Sequence, residues 1–209
     1  MSGPGTESGT GTTLRPYLRR KKSSLGETKV AMVGMDGVGK SAIAVRFLTR
    51  RFIGEYDQTS ESKYKYTTVV DGESVSFEIL DTRSTDGDHG ARDDVIRWAD
   101  GFMLIYSVTS RKSFDALHDI KRRIEEGKKA THVPMVVLGN KSDMTHVRQV
   151  TNDEGARLGA DFACPFLELS ASEDVVKVVE AFHSLCREVV EYKRRSRTFL
   201  DRVFGLKKS

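Results

Sequence analysis

The segment GMDGVGKS, from Gly34 to Ser41, places glycines, a lysine and a serine at a characteristic spacing. The segment matches the pattern G-x-x-x-x-G-K-[ST], in which a glycine-rich loop turns its backbone N–H groups toward phosphate oxygens. In such loops the lysine, here Lys40, neutralises the β- and γ-phosphates, and the hydroxyl, here Ser41, ligates Mg²⁺. The pattern therefore predicts a site for a nucleoside triphosphate, and the alternative is an ordinary glycine-rich turn.

A second polar segment, GNKSD from Gly139 to Asp143, addresses the base. The Asp143 carboxylate can accept hydrogen bonds from the N1–H and the exocyclic amine of guanine, whereas adenine would leave that carboxylate unpaired. Asn140 can tie neighbouring loops together, and the stem of Lys141 can cover the face of the base. Alone, this segment is typical of a surface turn; about 100 residues after a phosphate loop, it favours guanine.

Strands and helices must bring these motifs together. KVAMVG, GFMLIYSV, PMVVLGN and FLELSA are predicted buried strands, and segments 41–51, 111–127, 152–160 and 175–189 have helical spacing of apolar residues. Such alternation predicts an α/β fold with a mostly parallel sheet and helices on both faces. Asp71-Gly72 predicts a hairpin that adds one antiparallel edge strand, which gives six strands. The motifs then meet at the carboxyl ends of the parallel strands.

GMDGVGKS, RFIGEYDQT, ILDT, GNKSD and LSAS, in this order and spacing, resemble the motifs of Ras-superfamily small GTPases. The resemblance covers about residues 28–192 and implies a P-loop NTPase G domain that binds GTP or GDP with Mg²⁺. RFLTRRFIGEYD, the altered ILDTRST and the missing lipid-acceptor cysteine look most like the branch around the Ras-related estrogen-regulated growth inhibitor.

The resemblance also implies roles for individual residues. The implied nucleotide-binding residues are Gly34, Asp36, Gly37, Val38, Gly39, Lys40, Ser41, Ala42, Phe52, Thr59, Asn140, Lys141, Asp143, Ser170, Ala171 and Ser172. The implied Mg²⁺ ligands are Ser41, Thr59 and Asp81, and the implied catalytic residues are Lys40, Thr59 and Thr85. Phe52 either stacks edge-on to guanine or is a core aromatic. The Ala171 N–H would meet the guanine oxygen, and Ser172 stands where the family usually has a lysine.

The second switch departs from the family pattern D-T-A-G-Q and reads ILDTRST from Ile79 to Thr85. Ser84 replaces the glycine whose N–H meets the γ-phosphate, and Thr85 replaces the glutamine that orients the attacking water. Asp36 replaces a glycine and adds bulk and charge near the γ-phosphate. We therefore expect slow hydrolysis of GTP and a weak response to Ras-type activating proteins.

Two alternatives remain beside the slow GTPase. The first is a GTP/GDP-binding adaptor with negligible hydrolysis, and the second is a P-loop kinase or ATPase, which NKSD disfavours. Three residues in the second switch loop are either substitutes for the missing glutamine or parts of a solvated loop: Asp86, Asp88 and His89.

The resemblance also implies two contact segments for effectors and regulators, residues 56–62 and 82–93. Within the first, Gln58, Ser60 and Ser62 replace a proline, an apolar residue and an acid of the Ras pattern, although Glu61 remains. Binding of the usual kinase effectors is therefore not assumed.

Charge is unevenly placed along the 209 residues, whose net charge is +4. Residues 1–27 hold five basic and two acidic side chains, and residues 192–209 hold seven basic and one acidic, so the middle is acidic. This distribution argues against nucleic-acid binding. It predicts a disordered basic extension over 1–27, a G domain over 28–192 and a basic tail over 193–209.

The basic tail contains apolar pairs at i, i+4, Phe199 with Val203 and Leu200 with Phe204. The tail is either a short interfacial helix on anionic lipid or a disordered solubilising segment. The chain shows no secretory signal, membrane span or prenylation motif, and Cys164 and Cys186 are expected to be buried thiols. We expect a cytoplasmic monomer, with at most weak membrane association.

Overall fold

The computed structural model describes residues 24–51, 61–83 and 89–203. Its strands are β1 (Ser24–Val33), β2 (Ser62–Val70), β3 (Glu73–Asp81), β4 (Gly101–Ser107), β5 (Met135–Asn140) and β6 (Phe166–Glu168). Its α-helices are α1 (Lys40–Thr49), α2 (Asp93–Trp98), α3 (Arg111–Asp115), α4 (Leu117–Lys128), α5 (Asn152–Asp161) and α6 (Val175–Val203). A 3-10 turn spans Thr145–Val147.

The six strands form one sheet in the order β2-β3-β1-β4-β5-β6. All neighbouring pairs are parallel except β2 and β3, which are antiparallel. The turn between these two strands uses left-handed backbone at Asp71 and Gly72, with φ of 49° and 84°, as two-residue hairpin turns require. The predicted α/β fold, with one antiparallel edge strand, is confirmed.

Helices cover both faces of the sheet because the strands bury side chains on both sides. In β1, Val30 and Met32 belong to the core under α1 and α6, whereas Ala31 and Val33 belong to the core under α2 and α4. This near-continuous apolar run is what a buried parallel strand needs. The two cores hold the strand ends, and therefore the loops of the site, in fixed positions.

Three aromatic rings form the centre of the core between α1, α6 and the sheet. Phe47 stacks on Phe182 with ring centroids 3.8 Å apart, and Phe77 meets Phe47 edge-on at 5.6 Å. All three rings are fully buried. They fix α1, and with it the loop that precedes the helix, against the sheet and α6.

Two predicted boundaries differ from the structure. β1 begins at Ser24, inside the predicted disordered extension, because the strand continues past a bulge near Glu27 to pair with β3 at Ser74. α6 continues beyond the predicted domain end to Val203. Where this continuation begins, Lys193 forms an ion pair with Asp100 at 3.0 Å. The side chains of the predicted apolar pairs in the tail lie outside the described residues.

Cys164, Cys186 and Trp98 are buried to different degrees. Cys186 is buried as predicted, but Cys164 is only partly buried, so the prediction for Cys164 is wrong. Trp98 packs at the core edge and is only partly buried. The ammonium groups of Lys63 and Lys29 lie 4.7 and 5.9 Å from the centre of its ring. Trp98 therefore closes the core beneath charged side chains.

Candidate functional site

The loop that joins β1 to α1 has the shape of an anion cradle. Its glycines Gly34, Gly37 and Gly39 all have positive φ, at 144°, 77° and 97°. A side chain at Gly34 would overlap with the carbonyl of Ile105, and one at Gly39 would overlap with Asn140. Glycine is therefore required at both positions, and the loop leads into the N-terminus of α1, where backbone N–H groups favour anions.

The Lys40 ammonium lies inside this loop. Its side chain is 7% exposed, and Nζ donates to the carbonyl oxygens of Gly34 at 2.8 Å and Met35 at 3.1 Å. Burial lowers the pKa of Lys40, an effect opposed by the charges of Asp36 and Asp81. A buried cation held by carbonyl dipoles gains most from an anion that completes its coordination.

Asp81, the last residue of β3, places a carboxylate beside the start of α1. Asp81 is 7% exposed, and its Oδ1 is buried without a hydrogen-bond partner among the described residues. Burial raises the pKa of this carboxyl, and a hydrogen bond with Ser41 and the charge of Lys40 oppose that effect. An unpartnered carboxylate oxygen beside a hydroxyl fits a hydrated Mg²⁺, which binds few protein oxygens and keeps several waters.

No group of three His, Cys, Asp or Glu side chains is arranged for a metal in the part of the chain that the structure describes. A metal at Ser41 and Asp81 would therefore depend on oxygens from elsewhere. Phosphate oxygens and water are the ligands that such a site takes.

Asn140, the last residue of β5, joins three loops. Its side-chain amide donates to the carbonyl of Val38 at 2.8 Å, and its Oδ1 accepts from the N–H of Ala171 at 3.1 Å. Asn140 is 2% exposed. It thus connects the phosphate loop to the loop after β6, as the sequence led us to expect.

A cavity of about 290 Å³ opens beside Asn140. It is lined by Gly39, Ala42, Asn140, Lys141, Asp143, Met144, Ser170, Ala171 and Ser172. The Lys141 ammonium donates to the carbonyl of Gly37 at 2.7 Å, so the lysine stem reaches from the base loop to the phosphate loop. Ser170 and Ser172 share a hydrogen bond of 2.7 Å. Five of the nine lining residues are polar or charged, although most of the wall surface is apolar. Apolar surface with polar groups at its edge suits a planar base.

The Ala171 N–H differs from its implied role. In the structure this N–H donates to Asn140, so a contact with a guanine oxygen requires the hydrogen bond to be shared or exchanged. Sequence analysis also missed Met144, whose side chain lines the cavity. Its position directly after Asp143 is the only signal that the sequence offers.

A larger cavity, of about 530 Å³, lies between α2 and α4. It is lined by charged side chains of both helices and by His89, and none of the nucleotide-binding residues predicted above lines it. We assign the site to the smaller cavity because the phosphate loop, Asn140 and Asp143 converge there. The backbone of His89 nonetheless touches the phosphate loop, since its carbonyl accepts a hydrogen bond from Gly34 at 2.9 Å.

Several predicted residues cannot be placed. Phe52, Thr59, Ser84, Thr85, Asp86 and Asp88 lie outside the described residues. Parts of both predicted contact segments are described, and an ion pair joins them: Arg92 contacts Glu61 at 2.9 Å. Hydrogen bonding to Glu61, opposed by burial, raises the pKa of Arg92. No local sequence pattern indicates this pair, which links positions 31 residues apart.

Comparison with known proteins gives relatives along most of the chain. The sequence profile of the Ras family matches residues 29–191. The chain is 45% identical to the Ras-related and estrogen-regulated growth inhibitor of Homo sapiens over 182 residues, which cover 85% of this chain and 91% of that protein. It is 41% identical to Ras-like protein 1 of Saccharomyces cerevisiae, over 82% of this chain and 55% of that protein. Identity to Ras-like protein family member 11B of Danio rerio is 39%, over 86% of this chain and 76% of that protein.

Proposed function

The chain belongs to the Ras family, and on that premise we propose that it is a guanine-nucleotide-binding switch that hydrolyses GTP to GDP slowly. The observation that supports this most is the pair of hydrogen bonds made by the Asn140 side chain, one donated to Val38 and one accepted from Ala171. They join the phosphate loop to the walls of the base cavity. One ligand that spans both would hold a phosphate chain at Lys40 and a base beside Asp143.

The first test identifies the ligand. We expect protein purified without added nucleotide to release GDP or GTP on denaturation, detected by chromatography. With Mg²⁺ present, GDP should bind much more tightly than ADP. Equal affinity for ADP and GDP, or no affinity for either, would contradict the proposal.

Asp143 provides the sharper test, because its role depends on the polarity of hydrogen bonds. The carboxylate accepts from the exocyclic amine of guanine, whereas xanthine has an oxygen in that place. Asp143→Asn supplies a donor there, so GDP affinity should fall about 100-fold or more while XDP affinity rises, since each mismatched polar contact costs about 1–3 kcal/mol. Ser142→Asn, a neighbouring change, is the control and should leave the preference for GDP intact.

Different residues would bind the β- and γ-phosphates and the metal ion. Lys40, already buried among carbonyls, would neutralise the β- and γ-phosphates, and the loop N–H groups would hold the β-phosphate. Ser41, Asp81 and Thr59 would hold Mg²⁺, which would supply positive charge against the phosphate oxygens. Release of Thr59 when the γ-phosphate is lost would provide the switch.

Hydrolysis should be slow because Thr85 replaces the glutamine that positions the attacking water. We expect a single-turnover rate below about 10⁻⁴ s⁻¹ for the wild type and a faster rate for Thr85→Gln. A wild-type rate equal to that of ordinary Ras, abolished by Thr85→Ala, would overturn the claim that Thr85 makes hydrolysis slow. A rate at the background of hydrolysis in water would instead support the alternative, a GTP/GDP-binding adaptor.

We further propose that effectors and regulators bind residues 56–62 and 82–93 of a cytoplasmic monomer. The Arg92–Glu61 ion pair supports a common surface for the two segments. No described helix has the length and apolarity needed to cross a bilayer. Weak contact of the basic tail with anionic lipid is tested by co-sedimentation with phosphatidylserine vesicles at two salt concentrations, with and without residues 193–209.

A further inference from the structure

An exposed carboxylate sits at the mouth of the phosphate loop. Asp36 Oδ1 lies 3.7 Å from Lys40 Nζ, and the Asp36 side chain is 72% exposed while Lys40 is 7% exposed. The carboxylate therefore approaches the buried ammonium from the solvent side. The same side is the route by which a phosphate reaches Lys40.

The Lys40 ammonium has few hydrogen-bond donors left for a phosphate. An ammonium has three donors, and two of them are directed to the carbonyls of Gly34 and Met35. The Asp36 carboxylate approaches the same ammonium to 3.7 Å. Asp36 thus supplies a negative charge at the position where a bound phosphate would complete the coordination of Lys40.

We propose that Asp36 is a specificity-determining residue that lowers the affinity of this protein for guanosine triphosphate relative to guanosine diphosphate. The inference rests on the proposed function. A triphosphate must displace Asp36 from Lys40 and then hold its added negative charge beside the displaced carboxylate. A diphosphate must also displace Asp36 from Lys40. It is repelled less by the displaced carboxylate, because it lacks the γ-phosphoryl group and its charge.

The size of the effect follows from the exposure of Asp36. Like charges a few ångströms apart at a solvated surface repel weakly, and salt reduces the repulsion further. We therefore expect a bias of about tenfold against the triphosphate at low salt, which narrows as salt is raised. This bias favours the diphosphate-bound state independently of the rate of hydrolysis.

The experiment measures GDP and a non-hydrolysable GTP analogue by competition against a fluorescent GDP, with Mg²⁺, at about 50 and 500 mM salt, at which screening lengths differ several-fold. The variants are D36N, which removes the charge at constant size, D36E, which keeps it, and D36G, which removes both. We expect the ratio Kd(analogue)/Kd(GDP) to fall about tenfold in D36N and D36G at low salt. D36E should stay near the wild type.

The control is Asp119→Asn, which removes an exposed, ion-paired carboxylate on α4 and should leave the ratio unchanged. A D36N ratio within twofold of wild type overturns the proposal. A ratio that falls in D36G but not in D36N also overturns it, since bulk and not charge would then be responsible. If the wild type binds neither nucleotide, the proposed function itself fails, which this design separates from failure of the role of Asp36.

Discussion

The side-chain amide of Asn140 joins the phosphate loop to the loop after β6. Its Nδ2 satisfies the carbonyl of Val38, and its Oδ1 satisfies the N–H of Ala171. Both partners lie in loops, where no strand or helix provides a substitute hydrogen bond. A buried backbone group left unpaired costs about 1–3 kcal/mol.

Asn140→Ala should therefore lower both stability and affinity. We expect the free energy of unfolding, from urea denaturation of the nucleotide-free protein, to fall by about 1–3 kcal/mol, because Val38 and Ala171 lose their partners. GDP affinity should fall by tenfold or more, since the two loops are no longer held. Ser142→Ala is the control. An Asn140→Ala protein with normal affinity for GDP would show that the loops do not depend on this amide.

At the scale of elements, the rings that join α1, α6 and the sheet give the phosphate loop its fixed support. Phe182 belongs to α6, yet it stacks on Phe47 of α1, the helix that begins at Lys40. α6 therefore supports the helix that begins at Lys40. Its contribution is measurable as stability.

Phe182→Ala should cost about 3–5 kcal/mol of unfolding free energy, because the change leaves a cavity in a close-packed core. Val176→Ala on the same helix is the control, since Val176 is 75% exposed and such changes usually stay within about 0.5 kcal/mol. Urea denaturation of both variants measures the difference. A loss no larger than that of the control would mean that the rings contribute little to stability.

α5 begins with a capping box that links stability to pH. Thr151 accepts a hydrogen bond from the Glu154 N–H, and Glu154 accepts one from the Thr151 N–H at 2.9 Å. The hydrogen bond from the Thr151 backbone, and then the one from the Arg111 guanidinium, lower the pKa of Glu154 to about 2. Because the folded pKa lies below the unfolded one, the stabilisation is present at neutral pH. It is lost as pH falls from about 4.5 toward 2.

Glu154→Gln should consequently lower the melting temperature at pH 7 and lose that effect in acid. The difference in Tm between wild type and variant should shrink below about pH 4.5 and vanish near pH 2. Glu173→Gln, which makes the same change at an exposed position of the chain, is the control. A Tm difference that does not change with pH would show that the charge of Glu154 does not stabilise the cap.

Sequence patterns predicted the sheet more fully than the helices around it. The buried strands and the Asp71-Gly72 hairpin are visible because apolar runs and turn residues are local signals. α2 was not predicted, since its six residues are too few to show a helical period. The phosphate and base loops were found from spacing alone, whereas the Arg92–Glu61 pair and the hydrogen bond that occupies the Ala171 N–H depend on distant contacts that no local pattern records.

At the scale of the whole molecule, ligand and fold are coupled, because the site lies where the carboxyl ends of several strands meet. Anything that binds only the folded state stabilises it. A nucleotide that holds β1, β3 and β5 at their ends should thus protect the entire sheet from unfolding.

GDP with Mg²⁺ at 100 times its Kd should raise the unfolding free energy by about 2.7 kcal/mol. Addition of EDTA should remove part of that gain, and Asp81→Asn should make the gain insensitive to EDTA, because the variant loses a predicted metal ligand. Thermal denaturation with and without EDTA measures both effects, and ADP is the control. Equal protection by ADP and GDP would contradict the coupling.

The outer side of β2 matters for how copies of this protein meet in solution. Among the described residues β2 is the last strand of the sheet, and the backbone groups of an edge strand invite pairing with another chain. Lys63 and Lys65, each about half exposed or more, alternate along it with Tyr64 and Tyr66. The two lysine ammonium groups lie 3.5 Å from Glu78 and 3.7 Å from Glu27, respectively. Two such strands brought side by side would therefore bring charged ion pairs together, and we expect this charge to disfavour edge-to-edge pairing.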